Sequence, residues 1–313
     1  DSDAGTIQGA DLGALSIGGI GDVAGSVSFG SSAAAGAVNG AANAATSMTL
    51  AEGLNADTSI SVSSDASLSG LATTDASADA ATTAGAATAN ALSTGINGAD
   101  LTGSTVGIGG IGSLTGQANF SNAATSSNVS HASSATASND SGNGLIGGLS
   151  INVASDATLT GMAIGSLGAD ASSTAGTATA NAGQSDSAVG AVLPSLNVGG
   201  IGNITGAAQL DTSAVASNIG SETASADAKA GKGQSVVGLS TLEQGPQSNQ
   251  ASPSAPGEEI SIAEPVFDDV FNITISSDSD ITAQAFNNLD AFANSTSGDS
   301  TASAGDELSW VVG

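Results

Sequence analysis

The sequence predicts an all-β repeat protein, either a β-solenoid or a stack of β-layers built on units of about 45 residues. Three observations carry this. A nine-residue box recurs at a fixed spacing, small and large residues alternate with period two through each box, and glycine is abundant while aromatic residues are scarce. The 313 residues include 44 Gly, no Cys, no Tyr, one Trp and one His, and aromatics make up 2 % of the chain.

The box reads IGGIGDVAG from Ile17, VSSDASLSG from Val62, IGGIGSLTG from Ile108, VASDATLTG from Val153 and VGGIGNITG from Val198. Successive boxes start 45, 46, 45 and 45 residues apart. They alternate: the first, third and fifth contain GGIG, and the second and fourth contain SDA. ATANA at Ala87–Ala91 returns at Ala178–Ala182, which supports a superperiod of two units. Fixed-period self-similarity is the mark of stacked structural units.

Within the first unit Leu15, Ile17, Gly19, Gly21, Val23, Gly25, Val27 and Phe29 share one parity. Alternation of this kind gives a strand with one buried face. The expected repeat core is therefore Ile17 and Val23, Val62 and Leu68, Ile108 and Leu114, Val153 and Leu159, and Val198 and Ile204. An inward glycine leaves room for a neighbouring backbone or a large side chain opposite. Ile20, Ile111 and Ile201 fall on the other parity, which reads as a bulge or a second buried face. Further along each unit alanine alternates with Ser, Thr, Asp or Asn, as in ASADA at Ala76–Ala80 and Ala224–Ala228. These are thin strands, methyls inward, separated by Ser/Thr/Asn/Gly turns. Alanine favours helix, but Gly, Ser and Thr interrupt nearly every turn and no 3.6-residue stripe persists.

The expected organisation is a five-unit repeat domain over 1–242, a Pro/Ser/Gln-rich linker over 243–259, and a hydrophobic β-rich cap or intersubunit joining segment over 260–313. In a solenoid each unit would supply three coils of 15 residues or two of about 22. At ~4.8 Å per coil that makes a stack of roughly 72 or 48 Å. The last segment concentrates the large residues, with four of the six Phe and the only Trp. Phe267, Phe271, Ile273, Ile275, Trp310, Val311 and Val312 are the candidates for a joint, since an apolar terminal strand pairs with an exposed edge of its own domain or a neighbour's.

The net charge of −27, with two Lys+Arg, provides no basic surface for nucleic acid. No run of about 20 apolar residues spells a transmembrane segment. Without Cys there is no disulfide, thiolate or zinc-thiolate chemistry. His131 stands alone and reads as a surface residue, which leaves a serine hydrolase without its acid–base partner. GGIG has neither dinucleotide-fingerprint nor P-loop spacing. The chain is read as no enzyme and as needing no cofactor. Calcium is the one ion its acids admit, at Asp65, Asp156, Asp278 or Asp280. The alternative for Asp65 and Asp156 is turn capping through backbone N–H groups. Asn128, Asn203, Asn272 and Asn294 head glycosylation sequons.

The expected function is an extracellular or cell-surface structural subunit. It self-associates into a homopolymeric filament, matrix fibre or surface layer, with the C-terminal strand exchanged between copies and surface or matrix components as further partners. The second reading is a repetitive stalk or binding section of an adhesin. The third is an ice- or mineral-binding repeat protein, for which the mixed Ser/Thr/Asp/Asn outer positions are a poor fit.

Overall fold

The computed structural model describes residues 2–184, 187–193, 195–230, 232–237 and 272–306. They form a parallel β-solenoid in which one 45-residue unit is one coil. After a leading strand β1 (Ser2–Leu12), the first coil contains β2 (Leu15–Ile17), β3 (Gly21–Asn39) and β4 (Ala42–Ala56). The second has β5 (Ile60–Val62), β6 (Ala66–Ala84) and β7 (Ala87–Asp100), and the third has β8 (Thr105–Ile108), β9 (Gly112–Asn128) and β10 (Ser133–Ile146). In the fourth, β11 (Ser150–Val153) and β12 (Ala157–Ser173) precede β13 (Ala178–Gln184) and β14 (Ser187–Val192) on the return side. The fifth has β15 (Ser195–Val198), β16 (Gly202–Asn218), β17 (Ala224–Ala230) and β18 (Lys232–Val237). A sixth follows with β19 (Asn272–Ile275), β20 (Ser279–Ser295) and β21 (Ser300–Asp306).

Corresponding strands stack in register into three sheets, and every described strand pair is parallel. The short sheet runs β2-β5-β8-β11-β15-β19, and the long sheet runs β3-β6-β9-β12-β16-β20. The return sheet carries β1, β4, β7 and β10, then β13 with β14 and β17 with β18, then β21. Parallel ladders exclude stacked antiparallel layers. They also correct the coil count: six coils at ~4.8 Å make a stack of only about 29 Å, not 48 or 72. The 19 residues of β3, at ~3.3 Å each, run to about 60 Å. The domain is a slab broader than it is tall.

The error in coil length has a local cause. Each box bends through a corner. Ile17 closes the short sheet, residues 18–20 turn, and Gly21 opens the long sheet. The parity of inward residues survives the bend, so the sequence reads as one strand. Ile20, Ile111 and Ile201 sit at that corner with 70, 52 and 40 % of their surface exposed. They are neither a bulge nor a second buried face.

Two cores lie on either side of a glycine seam. A Cβ on Gly116 of β9 would overlap the Gly144 carbonyl of β10, and one on Gly144 would overlap the Met162 amide of the next coil. The long and return sheets thus touch backbone to backbone along Gly25, Gly70, Gly116 and Gly161 facing Gly53, Gly98, Gly144 and Gly190. On one side, the three sheets enclose a triangular core of large aliphatics. Val62, Leu68, Ile108, Leu114, Val153, Leu159, Val198 and Ile204 are buried there, with Ile17 and Val23 half-buried at the first coil and Ile275 at the last. On the other side the long and return sheets make a flat bilayer of alanines. Phe120 fills it where glycines leave space, over Gly142 and Gly165. Alanine contributes little per residue, about 0.8 kcal/mol for each buried methyl-sized group. The bilayer holds because it repeats over many coils and its backbone is paired on both sides.

The segment expected as cap or joint continues the solenoid where it is described, since β19, β20 and β21 pair with β15, β16 and β17. Its corner reads ISSDSDITA from Ile275, a box of the SDA type. It starts 77 residues after Val198, 32 more than the period, because residues 238–271 intervene. Ile273 lies in β19. Phe267, Phe271, Trp310, Val311 and Val312 lie outside the described residues.

Candidate functional site: the acidic corner and the ends of the stack

The corner carries one column of residues that alternates along the stack. In register order it is Ile20, Asp65, Ile111, Asp156, Ile201 and Asp278, each directly before the first long-sheet strand of its coil. Asp65 Oδ1 accepts the Ile111 N–H at 2.8 Å, and Asp156 Oδ1 accepts the Ile201 N–H at 2.8 Å. Two backbone bonds flank each of these. Gly109 N donates to Val62 O at 2.8 Å and Gly110 N to Ser64 O at 3.0 Å, and Gly199 and Gly200 repeat the pair on Val153 and Ser155. Three successive N–H groups of one turn therefore face the turn of the preceding coil. The glycines are a steric requirement: a Cβ on Gly109 would press on Ser63, and one on Gly110 would overlap the Asp65 carboxylate. The alternation of GGIG and SDA boxes is thus a two-coil lock, with an acid on even coils and a bare amide turn on odd ones.

Asp278 occupies the even position of the sixth coil, and its backbone carbonyl accepts from Gly202 N at 2.9 Å. Asp280 projects outward from β20 beside Asn203. Among the described residues no three His, Asp or Glu side chains gather closely enough to hold a metal ion. Asp65 and Asp156 stand two coils apart, each engaged with an amide.

At the far tip, Asn side chains bind the long-to-return turns. Asn128 Oδ1 accepts from Ser130 N at 2.8 Å and His131 N at 3.0 Å, while its Nδ2 reaches the Gly85 carbonyl. That amide is buried and fully engaged, so Asn128 is no glycan acceptor in the folded chain. His131 belongs to the same turn. Its Nδ1 accepts the Gly85 N–H at 3.2 Å and lies 2.8 Å from Ser130 Oγ. A shallow groove nearby is lined by Val38, Thr83, Val129 and neighbouring small residues, without an acid or base among them. On the outer face of the long sheet Thr115, Thr160, Thr205 and Thr282 form one column. The adjoining columns mix Asp, Ser, Asn, Gln, Leu, Met and Ala with a single threonine, Thr158, so the face has one threonine ladder and no two-dimensional array. No described helix is long and apolar enough to cross a membrane.

The two ends of the stack are the remaining large features. At the first coil β3 is an edge strand of 19 residues and β2 lies beside it; at the last coil β20 offers 17 and β19 four. None of these strands contains Pro or Lys. Among the described residues the aliphatic core is open at both ends, through half-buried Leu15, Ile17 and Val23 on one and half-buried Ile275 with exposed Ile281 on the other. Sequence reasoning had the acids of the corner and their capping alternative. It lacked their partners, because an amide donor one coil away is about 45 residues distant in sequence.

No family model, no curated protein and no solved structure matches the chain.

Proposed function

We propose that this chain is an extracellular structural subunit whose coils stack with those of other copies into a filament, matrix fibre or surface layer. The observation that carries the reading is the pair of long, flat strand edges at the two ends. An unpaired parallel edge presents a row of N–H and C=O groups to any strand of matching register, and natural proteins usually block such edges with Pro, Lys, bulges or a covering element. Here β3 and β20 have no Pro or Lys, and among the described residues apolar core is open behind them. The remaining surface is acidic and chemically plain, which suits a scaffold: the charge of −27 keeps copies apart until salt screens it.

Electron microscopy of the purified chain over a range of salt and calcium concentrations tests this. Filaments or sheets with strands perpendicular to the growth axis support it. Monodisperse monomers under every condition would sink it and favour a monomeric adhesin stalk.

A further inference from the structure

Resting on that reading, we propose a specific joint: copies stack head to tail, with the first-coil corner Gly18–Gly19–Ile20 of one seated on the last-coil corner Ser276–Ser277–Asp278 of the next. Asp278 then accepts the Ile20 N–H, and β1 continues the return-sheet strand that β21 begins.

The corner column starts on Ile20 and ends on Asp278, so the described coils hold two complete locks, coils two with three and four with five, and leave an amide half at the first coil and an acid half at the last. Only head-to-tail stacking preserves the alternation across a joint. Gly18 and Gly19 supply the second argument. In the third and fifth coils the equivalent glycines are forced by the preceding turn, yet a Cβ on Gly18 or Gly19 would meet nothing within 4 Å. These glycines fit an acidic turn that no described residue supplies there. The bonds follow by equivalence with the internal joints: Gly18 N to Ile275 O, Gly19 N to Ser277 O, and Ile20 N to Asp278 Oδ1. A carboxylate opposite consecutive amide N–H groups is a matched charge pair.

The return sheet fits in the same way. Through the ladder, β21 lies over the start of β4 up to Met48, while β1 pairs with Thr46 to Ala56. Both strands reach the three positions over Thr46–Met48, so one of the two ends gives way there, and the remainder of β1 continues the layer that β21 begins. Closing the joint also covers Ile17 and Val23 with Ile275 and Ile281, the last 41 % exposed.

The chain has no cysteine, so Ser26→Cys with Gln284→Cys in the full-length protein, at the two ends of one outward register column, is a clean probe that leaves Asp278 in place. Within one chain the two positions are five coil spacings apart, about 24 Å, and cannot bond; across the joint they are one spacing apart, about 4.8 Å, within the disulfide range of about 4.4–6.8 Å between Cα atoms. Oxidation is expected to yield a covalent ladder of trimers and longer species, whereas each single variant stops at dimers. Gly18→Val with Gly19→Val is expected to abolish the ladder with thermal melting unchanged. Removing residues 307–313 should leave the ladder, and removing 1–12 should weaken it at least several-fold. Fibres by microscopy without a ladder overturn this joint and leave polymerisation standing; neither fibres nor ladder overturns both. A ladder lost on removing 307–313 and kept on removing 1–12 overturns the role of β1.

Discussion

Gly116→Ala tests the glycine seam most sharply, and Gly168→Ala is its built-in control. Both positions are glycines in the long sheet of central coils. A Cβ at Gly116 would overlap the Gly144 carbonyl of the facing sheet, whereas one at Gly168 points outward and meets nothing within 4 Å. Forcing a methyl group into a packed interior costs about 1–3 kcal/mol. Backbone walls both sides of the seam and is tied to coils above and below, which places Gly116→Ala at the upper end. Alanine also lowers the entropy of the unfolded chain and returns roughly 0.4–1 kcal/mol. Gly116→Ala should therefore destabilise by about 2 kcal/mol and Gly168→Ala should be neutral or slightly stabilising. With a urea m-value on the order of 3 kcal/mol/M for a chain of this size, the midpoint should fall by roughly 0.7 M for the first variant and not fall for the second. Circular dichroism in urea, on monomeric samples, reads both. Equal midpoints would refute the claim that the two sheets meet backbone to backbone.

Asp156→Ala removes the acceptor of the Ile201 N–H. A charge-assisted bond contributes about 1.5–3 kcal/mol when protected; at this exposed corner about 1 kcal/mol is expected, read as several-fold faster amide exchange at Ile201, while Asp156→Asn, which keeps an oxygen, should change it less. Desolvation raises the Asp170 carboxyl on β12 above its ordinary value, so its ionisation opposes folding, and the cost is present above the folded pKa and vanishes as pH falls through it. Asp170→Asn should raise stability at pH 7 and leave it unchanged below pH 3; an identical pH profile would contradict this. Assembly should be promoted by salt, because screening acts over about 10 Å at 0.1 M: light scattering should rise between 10 and 500 mM NaCl, and a fall would contradict an acidic surface as the barrier.

The repeat was legible because every coil faces the same neighbours, so the same residue types return at each column. Leu114 and Leu159 meet in one ladder, and the 45-residue spacing records it. The corner was not legible, since Gly19 and Gly21 keep the parity of the strands they join and period-two counting runs straight through them. The sixth coil was masked by the extra residues before it, although ISSDSDITA carries the signature. The glycine seam left a trace at Gly70, Gly116 and Gly161, whose partners Gly98, Gly144 and Gly190 sit in a part of the unit that otherwise varies. Long-range facing of that kind is a property of the coil and has no local pattern.

Cryo-electron microscopy of assembled full-length chain tests the central claim directly. Coils that stack through the joint as they do within the chain predict a rise of about 29 Å per copy, six strand spacings of ~4.8 Å, with strand density continuous across the boundary in all three sheets. A rise that is not a multiple of the strand spacing, or a gap in the short and long sheets between copies, would contradict it.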